Sequence, residues 1–237
     1  MCIDRAGLVG PDGPTHHGAF DLAYLRPIPN LVISAPFNEH ELRNLMYTAV
    51  YGNDGPFVIR YPRGQGELSE WKNEPRLLPI GKGRLLKKGK DMALLSIGAI
   101  GNNAARAIAE AEKQGISVAH YDMVFLKPID EELLTEVATT FKQLITVENG
   151  VIRGGLGSAV LEFLAEHDYT DVHVHRIGIT DEFVTHGSIK ELQHIVGLDT
   201  EGILQQIVKL HQTIPHDHPD DASSSNPISP IEIIQNR

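Results

Sequence analysis

Apolar positions along the first sixty residues alternate between short β-type runs and a helical period, the pattern of a parallel sheet layered with helices. Leu31 to Ala35 reads as a strand stopped by Pro36. Asn38 then caps a helix and Glu41, three residues on, closes a capping box, with Leu42, Leu45, Met46, Ala49 and Val50 on one face and Gly52 at the end. Phe57 to Tyr61 is the next strand, stopped by Pro62, so residues 31–61 form a right-handed β-α-β unit. Upstream, Met1 to Ile3 is apolar and runs straight into a glycine-rich loop, as the stump of a buried strand does.

Residues 64–79 are polar with little periodicity and read as a linker. The alternation then resumes. Strands are predicted at Met92 to Ser96, Ser117 to Tyr121, Leu144 to Val147 and Val172 to Ile177. Helices are predicted over Asn102 to Gln114, from the Asp130 cap through Leu133, Leu134 and Val137, over Leu156 to Leu164, from the Ser188/Glu191 capping box, and over Thr200 to Leu210. Residues 211–237 shift to Pro, Ser, Asp and His, and disorder is expected there.

Composition narrows the classes. A chain of 237 residues with 41% hydrophobic and 22% charged residues has the makings of a globular core. No apolar run approaches the length of a spanning helix, and Cys2 is the lone cysteine, so a cytoplasmic, reducing setting is expected without disulfides. A formal charge of −10 disfavours nucleic acid as a partner.

The reactive side chains gather in the loop from Asp4 to Gly18. Loops that leave the carboxyl ends of parallel strands are where ligands bind, and Tyr61-Pro62-Arg63-Gly64 leaves another such end. Arg5 and Arg63 suit a phosphate or carboxylate, or serve as surface ion-pair partners. Asp12 and His16, four apart, have the chemistry for oriented proton transfer, or are a turn residue and a solvated histidine; spacing does not separate His16 from His17. Gly154-Gly155-Leu156-Gly157 is read as close helix–sheet packing in preference to a phosphate loop, because the G-x-G-x-x-G spacing is incomplete. His173 and His175 share a strand face but lack a third metal ligand by spacing, and His216 and His218 are read as solvated tail residues.

The stretches Asp4-Arg5-Ala6-Gly7-Leu8-Val9-Gly10, Asp12-Gly13-Pro14-Thr15-His16-His17-Gly18, Leu25-Arg26-Pro27-Ile28-Pro29-Asn30 and Tyr61-Pro62-Arg63-Gly64 resemble the transketolase-like, thiamine diphosphate-dependent enzymes. The first is similar to the branch that condenses pyruvate with glyceraldehyde 3-phosphate on the way to isoprenoids and thiamine. The resemblance covers residues 1–210. It implies part of a parallel-sheet pyrimidine-binding α/β domain over 1–63, a linker over 64–79, and a transketolase C-terminal α/β domain over 80–210. It also implies a transferase acting as a cytoplasmic homodimer. By position it gives Arg5 and Arg63 the aldehyde's phosphate, and Asp12 and His16 the substrate channel. In the family the cofactors are thiamine diphosphate and Mg2+, and no stretch here matches the Gly-Asp-Gly…Asn motif, the activating glutamate or the ring-stacking aromatic residue. The expectation is a C-terminal portion, inactive alone, with an acceptor site and no cofactor site. The alternatives are a non-catalytic assembly chain and the β-subunit of a split thiamine enzyme.

Overall fold

A computed structural model describes residues 1–214 apart from Ser69 and Asn73; of the tail expected to be disordered over 211–237, His211 instead closes the last helix and 212–214 follow it as an ordered turn, while the rest, with His216 and His218, lies outside the described residues. The elements in chain order are β1 (Cys2–Ile3), α1 (Asp21–Leu25), β2 (Val32–Ser34), α2 (Glu39–Tyr51), β3 (Phe57–Arg60), β4 (Arg84–Lys87), β5 (Met92–Ile97), α3 (Gly101–Lys113), β6 (Val118–Asp122), β7 (Phe125–Lys127), α4 (Glu131–Thr140), β8 (Gln143–Val151), α5 (Leu156–Glu166), β9 (His173–Ile179), α6 (Ile189–Ile195) and α7 (Thr200–His211). The α/β class and the parallel pairing follow the sequence pattern. The exceptions are α1, β4 and β7, which it did not predict.

Two sheets result. One runs β1-β3-β2-β7, the other β4-β6-β5-β8-β9. β1, β2 and β3 are mutually parallel where they pair, as are β6, β5, β8 and β9, while β4 and β7 run antiparallel at the edges. β7 follows β6 in the chain yet pairs with β2, with Ile33 opposite Lys127 and Ser34 opposite Phe125. The second half of the chain therefore completes the sheet begun by the first.

The cores follow the same plan. One cluster joins Leu22, Ile33 and Val58 of the first half to Leu95, Tyr121, Leu144, Leu156 and Phe163 of the second. Another packs Ala104 and Ile108 of α3 and Ile203 and Ile207 of α7 on Leu94, Val118 and Ile145. A third seats α2 through Leu45 on Phe57, Ile59 and Phe125.

Two local expectations are corrected. Met46 and Val50 face outward, and α2 instead buries Glu41, Asn44, Leu45 and Thr48, because polar contacts hold it: Asn44 and Thr48 side chains accept the N–H groups of Arg76 and Leu78. Asn38 caps α2 as expected, but Glu41 accepts from the Phe37 N–H at 2.6 Å, not from the cap's own, so the box is displaced by one residue. The Ser188/Glu191 capping box forms complete.

Candidate functional site

In the second sheet β5 passes through α3 to β6 on one side, whereas β8 passes through α5 to β9 on the other. Chains diverging from neighbouring parallel strands leave a crevice at their carboxyl ends. Here that crevice also faces the carboxyl ends of β2 and β3, and together they enclose a cleft of about 560 Å³ whose walls include Phe37, Tyr61, Arg63, Ile100, Arg106 and Asn149.

The segments that carry Arg5 and Arg63 run side by side, with the Ala6 N–H donating to Tyr61 O at 3.0 Å. Arg63 lines the cleft and pairs with Asp12 at 2.5 Å. Arg5 sits at φ +60°, exposed and without a side-chain partner among the described residues. His16 is exposed and its Nδ1 lies 3.0 Å from Thr15 Oγ1. Asp12 and His16 are therefore not hydrogen-bonded to each other: the carboxylate serves Arg63. His17 is committed to the loop instead, since its Nδ1 accepts from the Val9 N–H at 3.1 Å, which leaves Nε2 to face Thr185 O at 3.5 Å.

What holds this loop is a residue that no spacing signalled. Arg60, 3% exposed at the end of β3, donates to Asp21 Oδ2 at 2.8 Å, to Gly18 O at 3.0 Å and to Asn149 O at 2.9 Å. The Gly18 carbonyl also accepts from the Gly7 N–H at 2.8 Å, which closes the base of the loop. One guanidinium thus ties the loop, α1 and β8 together beside the cleft.

The wall formed by the β2–α2 corner is docked by charge. Arg84 Nη2 donates to Asp122 Oδ2 at 2.8 Å and lies 2.7 Å from Glu41 Oε1. Burial, with Glu41 beside it and Arg84 opposing, pushes the Asp122 carboxyl up to about 7, and burial raises Glu41 as well. His120, on the same strand, is buried against Ser96 Oγ at 2.9 Å, and burial lowers it to about 4. Across the sheet, burial raises Glu148, which accepts the Leu156 and Gly157 N–H groups at the start of α5. A Cβ at Gly155 would lie 1.8 Å from Glu148 Oε2 and one at Gly157 would strike Arg176, so this glycine run serves close packing. Of the strand histidines, His173 is exposed and His175 half-buried.

Among the described residues, the group of His, Asp and Glu side chains close enough to share a metal ion is His194, Asp199 and Glu201, at the α6–α7 corner. The cleft contains the carboxylates Glu39 and Glu67, but neither joins such a group. No helix among them is long and apolar enough to cross a membrane.

Both halves match known families: residues 1–67 match the transketolase pyrimidine-binding domain, and residues 81–203 the transketolase C-terminal domain. The chain belongs to the transketolase family. Within it, the chain is 61% identical over 209 residues to the 1-deoxy-D-xylulose-5-phosphate synthase of Parabacteroides distasonis, covering 88% of this chain and 33% of that protein. It is 59% identical over 216 residues to the synthase of Bacteroides thetaiotaomicron, covering 91% of this chain and 33% of that protein. It thus spans about a third of the length of the curated relatives it matches. Among solved structures it is similar to a split-gene transketolase described as an inactive β4 tetramer, with a TM-score of 0.74 and 31% identity over 89% of this chain and 65% of that one. The fold is shared with Campylobacter jejuni transketolase, at a TM-score of 0.66 and 21% identity over 88% of this chain and 31% of that one.

Proposed function

We propose that this chain is the acceptor-binding portion of a 1-deoxy-D-xylulose-5-phosphate synthase, which joins pyruvate to glyceraldehyde 3-phosphate with loss of carbon dioxide, and that residues 1–63 and 80–210 are its two α/β units with 64–79 between them. The observation that carries the reading is Arg63, held by Asp12 at the cleft where the carboxyl ends of both sheets meet. A planar guanidinium already oriented by a carboxylate presents its remaining N–H groups to a phosphate at little further ordering cost. Arg5, on the neighbouring strand end with its side chain unpaired among the described residues, is the second phosphate ligand. His16, with its imidazole exposed and not built into the fold, is the proton-carrying group beside the acceptor carbonyl.

In the family reaction thiamine diphosphate and Mg2+ supply the carbanion chemistry; the steps given to this chain are phosphate binding, orientation of the acceptor and proton transfer at its carbonyl oxygen. A homodimer and a cytoplasmic location complete the proposal.

Titration of the purified chain with glyceraldehyde 3-phosphate, followed by amide chemical shifts, tests it. Saturable shifts at residues 5–18 and 61–64 that weaken about tenfold or more in Arg63→Met support the reading. Binding unchanged by Arg63→Met overturns it. The similarity to the split-gene transketolase favours a second reading, a β-subunit of a two-chain enzyme. A discrete assembly larger than a dimer in light scattering supports that alternative.

A further inference from the structure

The cleft contains a polar side chain that the fold itself does not use. Asn149 lies where β8 slips register against β9, between the pairs at Val147 and Val151. Its backbone carbonyl is fixed by Arg60 at 2.9 Å. The residue lines the cleft with Tyr61 and Arg63. Among the described residues that carboxamide makes no hydrogen bond, and its Oδ1 is sealed from solvent without a donor.

Room has been kept for it. Gly7 stands at φ +75°, and a Cβ there would lie 1.9 Å from Asn149 Nδ2. The amide is therefore held by its own backbone and by the wall opposite, with its polar atoms unspent. A buried polar group without a partner weakens a fold, and such groups call for an explanation, of which a ligand that brings the partner is one.

We infer that Asn149 is a specificity-determining residue of the cleft, its carboxamide recognising a hydroxyl on a short phosphorylated compound whose phosphate Arg63 holds. With Oδ1 sealed, the carboxamide meets a ligand through Nδ2, a donor that a hydroxyl oxygen accepts. A bare phosphate engages Arg63 and does not need Asn149. This inference rests on the acceptor reading above and names how that site tells a hydroxylated ligand from a simple anion.

The test compares two probes on the full chain, glycerol 3-phosphate and inorganic phosphate, by amide chemical-shift titration. Asn149→Ala is expected to weaken glycerol 3-phosphate about three- to tenfold and to leave inorganic phosphate unchanged. Arg63→Met is expected to weaken both. If Asn149→Ala weakens both equally, or neither, while Arg63→Met still weakens both, Asn149 has no such role and the acceptor site stands. If the wild-type chain binds neither probe, or Arg63→Met changes neither, the acceptor reading fails and this inference with it. Should Asn149→Ala not fold, Asn149→Asp keeps the shape of the side chain, and a loss for glycerol 3-phosphate no greater than for inorganic phosphate overturns the inference.

Discussion

Replacing Arg60 with leucine isolates the interaction that holds the loop against the cleft. In the wild-type chain Asp21 is 3% exposed, with one oxygen accepting the Leu22 N–H at 2.9 Å and the other taking Arg60 Nε at 2.8 Å. Arg60→Leu leaves that carboxylate buried with one hydrogen bond and no counter-charge, a loss of about 3–5 kcal/mol in comparable cases. It also removes a donor from the Asn149 carbonyl, which costs about 1 kcal/mol, whereas the Gly18 carbonyl keeps the Gly7 N–H. The buried leucine offsets part of this, so the net expectation is ~3–5 kcal/mol, a large share of the roughly 5–15 kcal/mol typical of a domain. For a chain of this size that lowers Tm by about 6–20 °C. Denaturation followed by far-ultraviolet circular dichroism measures it, and amide exchange should show residues 6–18 opening before β5 and α3 do. The double variant Asp21→Leu with Arg60→Leu should be more stable than Arg60→Leu alone, because the stranded charge has gone. A single-variant loss below about 1 kcal/mol, or a double variant less stable than the single, refutes the reasoning.

Three further outcomes are expected. Asp122, raised to about 7, contributes stability that is complete below its unfolded value of 3.8 and lost as pH rises through 7, whereas His120, lowered to about 4, contributes stability present above 6.5 and lost as pH falls toward 4. Between pH 4 and 6.5 the two slopes oppose, so Asp122→Asn should melt at a temperature that rises with pH there and His120→Gln at one that falls; matching slopes in both variants contradict this. His17→Ala should lower stability by about 1 kcal/mol through loss of the Val9 N–H bond, while His16→Ala stays within ~0.5 kcal/mol, and denaturant midpoints in the reverse order refute the division of roles. Residues 80–214 made alone should be less stable than the whole chain and should bind a hydrophobic dye, since Phe125 and the faces that meet Leu22, Ile33 and Val58 lose their cover; equal melting temperatures for the two would show that the halves are independent.

Much of the fold was legible because its signals are local. The Asn38, Asp130 and Ser188 caps and the apolar runs at β5, β6 and β8 declare themselves within a few residues. The missed elements depend on distant partners. β7 is three residues long and exists because Ile33 and Ser34 offer it an edge, and β4 is a half-exposed strand that Arg84 anchors to Asp122. The outward turn of Met46 and Val50 was hidden for a related reason, since periodicity cannot show that Asn44 and Thr48 will be needed to hold the chain at Arg76 and Leu78. At the site, Arg63 and Asp12 stand out as chemistry in an exposed loop, but Arg60 and Asn149 read as ordinary strand residues. Their roles appear only when β3 and β8 are brought together in space.

That dependence explains why the cleft belongs to neither half alone. The candidate phosphate ligand Arg63 leaves a strand of the first sheet, Asn149 lies on a strand of the second, and the separation between them is set by contacts that cross the boundary. β7 pairs with β2 below the cleft, Arg84 draws Glu41 toward Asp122 at one wall, and Arg60 draws Gly18 and Asn149 together at the other. Each is a polar or backbone link with at least one buried member, Asp122 and Glu41 at the first wall and Arg60 at the second, and a lost partner there is poorly replaced by water. Small displacements between the halves are therefore resisted by fixed hydrogen bonds on three sides, which is the condition for holding a ligand's anionic end and its hydroxyl at a set distance. Flexible docking of two separate domains would not supply it.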